Sequence, residues 1–84
     1  MCSTYILKSL KDHKFYIGCT NDLERRLKEH FDGRVKSTKY RRPLKLIYTE
    51  SFNTNQSARK RELEIKRMKG GIQFKAIIAG IAQG

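Results

Sequence analysis

The chain has 84 residues and carries 19 Lys and Arg against 8 Asp and Glu, a formal charge of +11 at neutral pH. That length predicts one domain, 1–84, with a core of about a dozen side chains and no room for a large cofactor. No apolar run approaches the ~18 residues of a membrane span, and Met1 to Leu10 lacks the order of a signal peptide, so a soluble cytoplasmic protein without a membrane partner is expected.

Thr4 to Leu10 and Lys14 to Cys19 are runs rich in Tyr, Ile, Leu and Phe around a polar turn, which predicts a β-hairpin. An even loop, Leu10 to His13, pairs Ser9 with Lys14 and Leu7 with Tyr16, and sets Gly18 opposite Tyr5. Tyr5 and Tyr16 then share a face with Gly18, and two phenols beside a bare stretch of strand suit a phosphate. The competing reading is that both tyrosines pack as core aromatics.

Asn21 stands three residues before Glu24, the spacing of a reciprocal helix cap, and predicts a helix from Asp22 to Phe31 stopped by Gly33. Leu23, Leu27 and Phe31 form its expected buried stripe. Arg26 and His30, four apart, lie along one edge of that stripe. An arginine there can grip a phosphate through two parallel hydrogen bonds, and a histidine one turn on can donate to the same group or move a proton. A solvated pair is the alternative.

Between Gly33 and Thr49 stand Arg34, Lys36, Lys39, Arg41, Arg42 and Lys45 with no acid. Such clustering suits contact with a nucleic-acid backbone, against the plainer reading of a solvated loop. Leu44 to Phe52, just after the only proline, reads as a third strand with Leu44, Leu46 and Tyr48 alternating against Lys45, Ile47 and Thr49. Asn53 or Thr54 caps a second helix that runs to about Lys69 and ends at Gly70 and Gly71. A third helix, Ile72 to Ala82, completes the core with Ile72, Ala76 and Ala79, together with Phe74, Ile77, Ile78 and Ile81. The order β-β-α-β-α-α is an α+β fold: a small three-stranded antiparallel sheet covered by about three helices.

On the second helix Ala58, Ile65 and Met68 define the apolar side, and Glu62 lies within ~40° of Ala58 on a wheel of ~100° per residue. A carboxylate turned inward needs a cation. Arg59 or Lys66 could supply it as a salt bridge, and so could a hard divalent ion, Mg²⁺ or Mn²⁺, held by one carboxylate with water and substrate phosphate. Cys2 and Cys19 have neither disulfide-framework nor zinc-ligand spacing, which suits a reducing compartment.

These residues together resemble the GIY-YIG nuclease family. Thr4-Tyr5-Ile6 is similar to the first half-motif, a variant in which Tyr5 keeps the tyrosine and the leading glycine is lacking, and Tyr16-Ile17-Gly18 is the second without change. The run Asn21 to His30 resembles the family's first helix, with Arg26 at the catalytic arginine position and His30 at the following histidine position. Ala58 to Lys66 resembles the helix with the metal-binding glutamate, which falls on Glu62. Two departures stand out: no clear counterpart of the asparagine some members carry, Gln73 being the nearest amide, and Cys19 where some members place lysine or serine.

The resemblance implies a Mg²⁺- or Mn²⁺-dependent endonuclease that hydrolyses DNA phosphodiesters. Tyr5, Tyr16, Arg26, His30 and Glu62 would be catalytic, with Glu62 on the metal. Gly18, Arg34, Lys36, Lys39, Arg41, Arg42 and Lys45 would contact nucleic acid. DNA is the expected partner, with RNA left open, and the chain is expected to be a monomer or weak homodimer. Structure-selective or weakly specific cutting, of the kind used in DNA repair or recombination, is expected. The alternatives are a non-catalytic nucleic-acid-binding module of the same fold and an interaction module for an acidic protein.

Overall fold

The computed structural model describes residues 1–69 and 71–83, with side chains through residue 79. Strand β1 (Cys2–Ser9), strand β2 (Phe15–Thr20), helix α1 (Leu23–Phe31), strand β3 (Leu44–Phe52), helix α2 (Asn55–Met68) and helix α3 (Ile72–Gln83) follow in the expected order. The sheet is antiparallel with order β2-β1-β3, so β1 is central and both partners are edges. None of its helices, among the described residues, is long and apolar enough to cross a membrane.

The hairpin adopts the register that an even loop dictates: Leu7 faces Tyr16, Tyr5 faces Gly18, and the Ser9 N–H donates to the Lys14 carbonyl at 2.8 Å. Alternation along β1 and β2 divides the residues between two faces. Ile6 and Ile17 meet Ile65 of α2 and Phe74 of α3 in the apolar core, where Phe15 and Phe74 pack edge to face at 5.0 Å. Each such buried side chain contributes about 1.5–3 kcal/mol. Tyr5, Leu7, Tyr16 and Gly18 occupy the opposite face, beneath α1 and the loop that follows it.

Several expectations change in detail. Helix α1 is capped by Asp22, whose carboxylate accepts from the Arg25 N–H at 3.1 Å, and not by Asn21 with Glu24. Its buried residue is His30, while Phe31 is 43% exposed. The stripe lies one position off the expected line because α1 leans over the hairpin through Arg26 and His30. Gly33 does stop the helix: at φ +80° it turns the chain so that the Arg34 N–H reaches the Glu29 carbonyl and its own N–H the His30 carbonyl.

Strand β3 carries a bulge. Ile6 pairs with Tyr48 but Leu7 with Leu46, so Ile47 is the extra residue. Leu44 and Leu46 therefore share the Tyr5 face, Tyr48 turns to the helix side, and Ile47 and Tyr48 both pack on the core. Thr54 caps α2 by accepting from the Ser57 N–H. In α3 the expected contributors Ile72, Ala76 and Ala79 are exposed, Ile72 at 87%. Phe74, Ile77 and Ile78 do the packing instead, because α3 meets the sheet through that second stripe. The expected stop at Gly70 and the core role of Ile81 lie outside the described residues.

Candidate active site

Tyr5, on the central strand, projects toward α1. Its hydroxyl is 2.9 Å from His30 Nε2, and His30 Nδ1 is 2.8 Å from Thr38 Oγ1. All three side chains are fully buried. Burial, then the neighbouring Arg26 charge, pushes the His30 pKa down to about 4, so the ring is neutral at pH 7. Both ring nitrogens are engaged, so His30 holds the phenol of Tyr5 in place and has no free nitrogen to offer a ligand.

The Arg26 guanidinium lies beside the Tyr5 and Tyr16 phenols and 3.2 Å from a Glu29 oxygen. Burial alone would lower its pKa, yet hydrogen bonding to Tyr5 and to Glu29 raises it, so the cation is permanent. Its side chain is 35% exposed, and a surface pair of this kind is worth little, so an incoming anion can displace Glu29. Burial pushes Tyr5 up to about 12, against the opposing pull of Arg26. Tyr5 therefore keeps its proton and presents a neutral hydroxyl. Tyr16 is partly buried, its ring 6.3 Å from Tyr5 and 5.0 Å from His30.

Gly18 serves this cluster differently from the sequence expectation of a phosphate seat. A Cβ there would fall 2.7 Å from Tyr5 Oη and 3.2 Å from Tyr16 Cε1. The bare stretch of strand is filled by the Tyr5 ring, and Gly18 is buried. Its missing side chain makes room for a phenol, not for a nucleic acid.

Glu62 is not on that face. Cys19, beside it, alternates to the α2 side of the sheet, opposite Thr4. There the Glu62 side chain, 11% exposed, pairs with Lys66 Nζ at 2.7 Å and accepts from the Cys19 thiol. Burial would raise its pKa, but Lys66, Cys19 and Arg59 outweigh it and hold the carboxyl below the usual range. Burial and this carboxylate push the Cys19 thiol up to about 11, so it stays protonated and donates. The candidate site thus wraps the edge strand β2. Gly18 carries the tyrosine and arginine cluster on one side, and Cys19, the next residue, touches Glu62 on the other.

A charged carboxylate is the donor type that a hard divalent ion takes, and such an ion needs few protein oxygens. Among the described residues no three His, Cys, Asp or Glu side chains gather to hold a metal by themselves. An ion held at Glu62 would take its remaining oxygens from water and phosphate.

The loop cations are spread over different tasks. Arg34 pairs with Asp32 at 2.9 Å and Arg41 with Asp12 at 3.4 Å. Arg42 donates to the Lys39 carbonyl and packs over Gly33. Lys36, Lys39 and Lys45 are exposed. Sequence reasoning missed Thr38, which periodicity does not mark, and the contact of Cys19 with Glu62, which needs the helix to be placed against β2.

A three-stranded sheet with two motif tyrosines, an arginine between them and a glutamate at the sheet edge is the arrangement of a nuclease-type catalytic domain. Residues 1–73 match the family described as the GIY-YIG catalytic domain, and the chain belongs to that family. It is 46% identical over 65 residues to the UPF0213 protein YazA of Bacillus subtilis, covering 76% of this chain and 65% of that one. It is 43% identical over 77 residues to the UPF0213 protein SSP2268 of Staphylococcus saprophyticus, covering 90% of this chain and 93% of that one. The solution structure of the UPF0213 protein BH0048 from Bacillus halodurans is similar at a TM-score of 0.55 and 32% identity, over 96% of this chain and 85% of that one.

Proposed function

We propose that the chain is a metal-dependent endonuclease that hydrolyses DNA phosphodiester bonds with structure-selective or weak specificity, in repair or recombination. The reading is carried by one observation: the Arg26 guanidinium stands beside two tyrosine hydroxyls, one of them fixed from behind by His30 and Thr38.

The scissile phosphate docks against Arg26, displacing Glu29, and two of the five guanidinium donors take its non-bridging oxygens. Tyr16, the less buried phenol, orients the attacking water in line. Tyr5 stays protonated and keeps Arg26 and Tyr16 in register. His30 is a positioning residue that aligns Tyr5. Glu62 would hold Mg²⁺ or Mn²⁺, which supplies charge neutralisation at the phosphate and leaving oxygen. Lys36, Lys39 and Lys45 contact the flanking backbone. Such preorganised charge accounts for most of the rate gain in reactions of this class.

The test is a gel assay of nicked, branched and single-stranded DNA, and of RNA, with Mg²⁺ or Mn²⁺. Product from the parent and none from an Arg26→Ala protein is expected. Binding without product under every condition would overturn the reading in favour of a non-catalytic binding module.

A further inference from the structure

Tyr40 is the most exposed aromatic side chain described, at 75%. It sits in a short 3₁₀ turn, Lys39–Arg41. Three successive carbonyls of this turn each accept from a side chain: Lys39 from Arg42 Nε at 3.1 Å, Tyr40 from Lys11 Nζ at 3.2 Å, and Arg41 from Ser9 Oγ at 2.6 Å. A ring in solvent on a pinned backbone loses little freedom when a ligand covers it.

The surroundings are cationic. Lys39 Nζ is 5.4 Å from the Tyr40 ring centre, and Arg42 Nη1 reaches the carbonyl of Phe31, itself an exposed aromatic, at 3.5 Å. The nearby acids Asp12 and Asp32 are paired with Arg41 and Arg34, which leaves Lys11, Lys39 and Arg42 as net positive charge. Aromatic faces interleaved with cations match single-stranded nucleic acid, whose bases stack while its phosphates meet the charges. An acidic protein would use the cations and have no need of the ring.

The turn is also tied to the catalytic cluster. Thr38, which bonds His30, precedes Tyr40 by two residues. Arg42, two residues after Tyr40, reaches the Phe31 carbonyl at the end of α1, the helix that carries Arg26.

We propose that Tyr40, on its pinned turn beside the C-terminus of α1, is a stacking platform for an unpaired base, so that the domain engages DNA carrying a single-stranded flap next to the phosphate at Arg26. This deepens the nuclease reading and rests on it for the placement of that phosphate.

The experiment is fluorescence anisotropy of labelled single-stranded, duplex and flapped DNA with the full chain in EDTA, where no cleavage occurs. Tyr40→Ala should weaken single-strand and flap binding about 10-fold or more and change duplex binding less than about twofold, since duplex contact is mainly to phosphate. Tyr40→Phe should keep the affinity but lose the quenching of tyrosine emission that single-stranded DNA causes in the parent. The proposal is overturned if Tyr40→Ala binds flapped DNA as the parent does, if it loses duplex binding equally, or if Tyr40→Phe retains the full quench. Displacement of the flap by poly-glutamate as readily as by single-stranded DNA would overturn it in favour of an acidic protein partner. Since binding is read without cleavage, an inactive parent leaves this test intact, and a Tyr40-independent parent leaves the nuclease assay intact.

Discussion

The hydroxyl of Tyr5 lies directly over the α-carbon of Gly18, so close that a Cβ on that residue would stand 2.7 Å from it. The phenol has little freedom to retreat, since it is buried and bonded to His30. Gly18→Ala should therefore destabilise the fold by about 1–3 kcal/mol through overpacking, and should reduce cleavage further by moving Tyr5 away from Arg26. Urea unfolding measures the first effect. An alanine variant as stable and as active as the parent would mean that Tyr5 is not seated there.

Arg26 offers a planar fork to the phosphate, which a lysine cannot reproduce. Arg26→Lys should lose about 10²-fold in single-turnover cleavage of branched DNA while its unfolding curve stays near the parent's, because lysine keeps the positive charge and the Glu29 pair is partly exposed. Equal turnover in the two proteins would reduce Arg26 to a point charge.

His30 links stability to pH. Its folded pKa of about 4 lies below its ordinary 6.5, so between those values the unfolded chain binds more protons than the folded one. Stability is thus complete above about pH 6.5 and falls as the pH drops toward 4, by on the order of 2–3 kcal/mol. Urea midpoints taken through this window test the point above most carboxylate titration, and His30→Gln should flatten the slope. A flat parent profile from pH 6.5 to 4.5 would show that His30 titrates normally. Thr38→Val, which leaves a buried ring nitrogen unpaired, should cost about 1–3 kcal/mol.

Glu62 is held by Lys66 and Cys19 on the helix side of β2. Glu62→Gln keeps the shape and removes the charge, and because Lys66 is half exposed it can turn to water. The variant should fold, lose Mn²⁺ binding by electron paramagnetic resonance titration, and lose cleavage. Lys66→Met frees the carboxylate and should bind Mn²⁺ more tightly than the parent. Mn²⁺ affinity unchanged in both proteins would remove Glu62 as a ligand.

Local rules carried much of this fold in the sequence. The tyrosine register follows from an even hairpin loop, the extent of β3 from its proline boundary, and the start of α2 from Thr54, all of them interactions within a few residues. The family itself was legible because Tyr5, Tyr16, Arg26 and Glu62 stand at fixed spacings. Phe31 and Ile72 were misread as buried because an apolar side chain at helical spacing says nothing about which stripe a neighbouring element covers. Tyr48 departs from the expected alternation and shares the core face with Ile47 instead of the face of Leu44 and Leu46, because a bulge depends on the partner strand.

Only the tertiary structure decided what the charged and hydroxyl groups do. That Gly18 houses a phenol, that Thr38 holds His30, that Glu62 meets Cys19 around the β2 edge and that Tyr40 stands in solvent on a fixed turn are contacts between distant parts of the chain. The sequence determined which groups the protein owns and how each segment folds, since those depend on short-range backbone preference and periodicity. Packing decided which groups are dry, paired or free to meet a ligand, because burial and pairing arise only when separate elements share a surface.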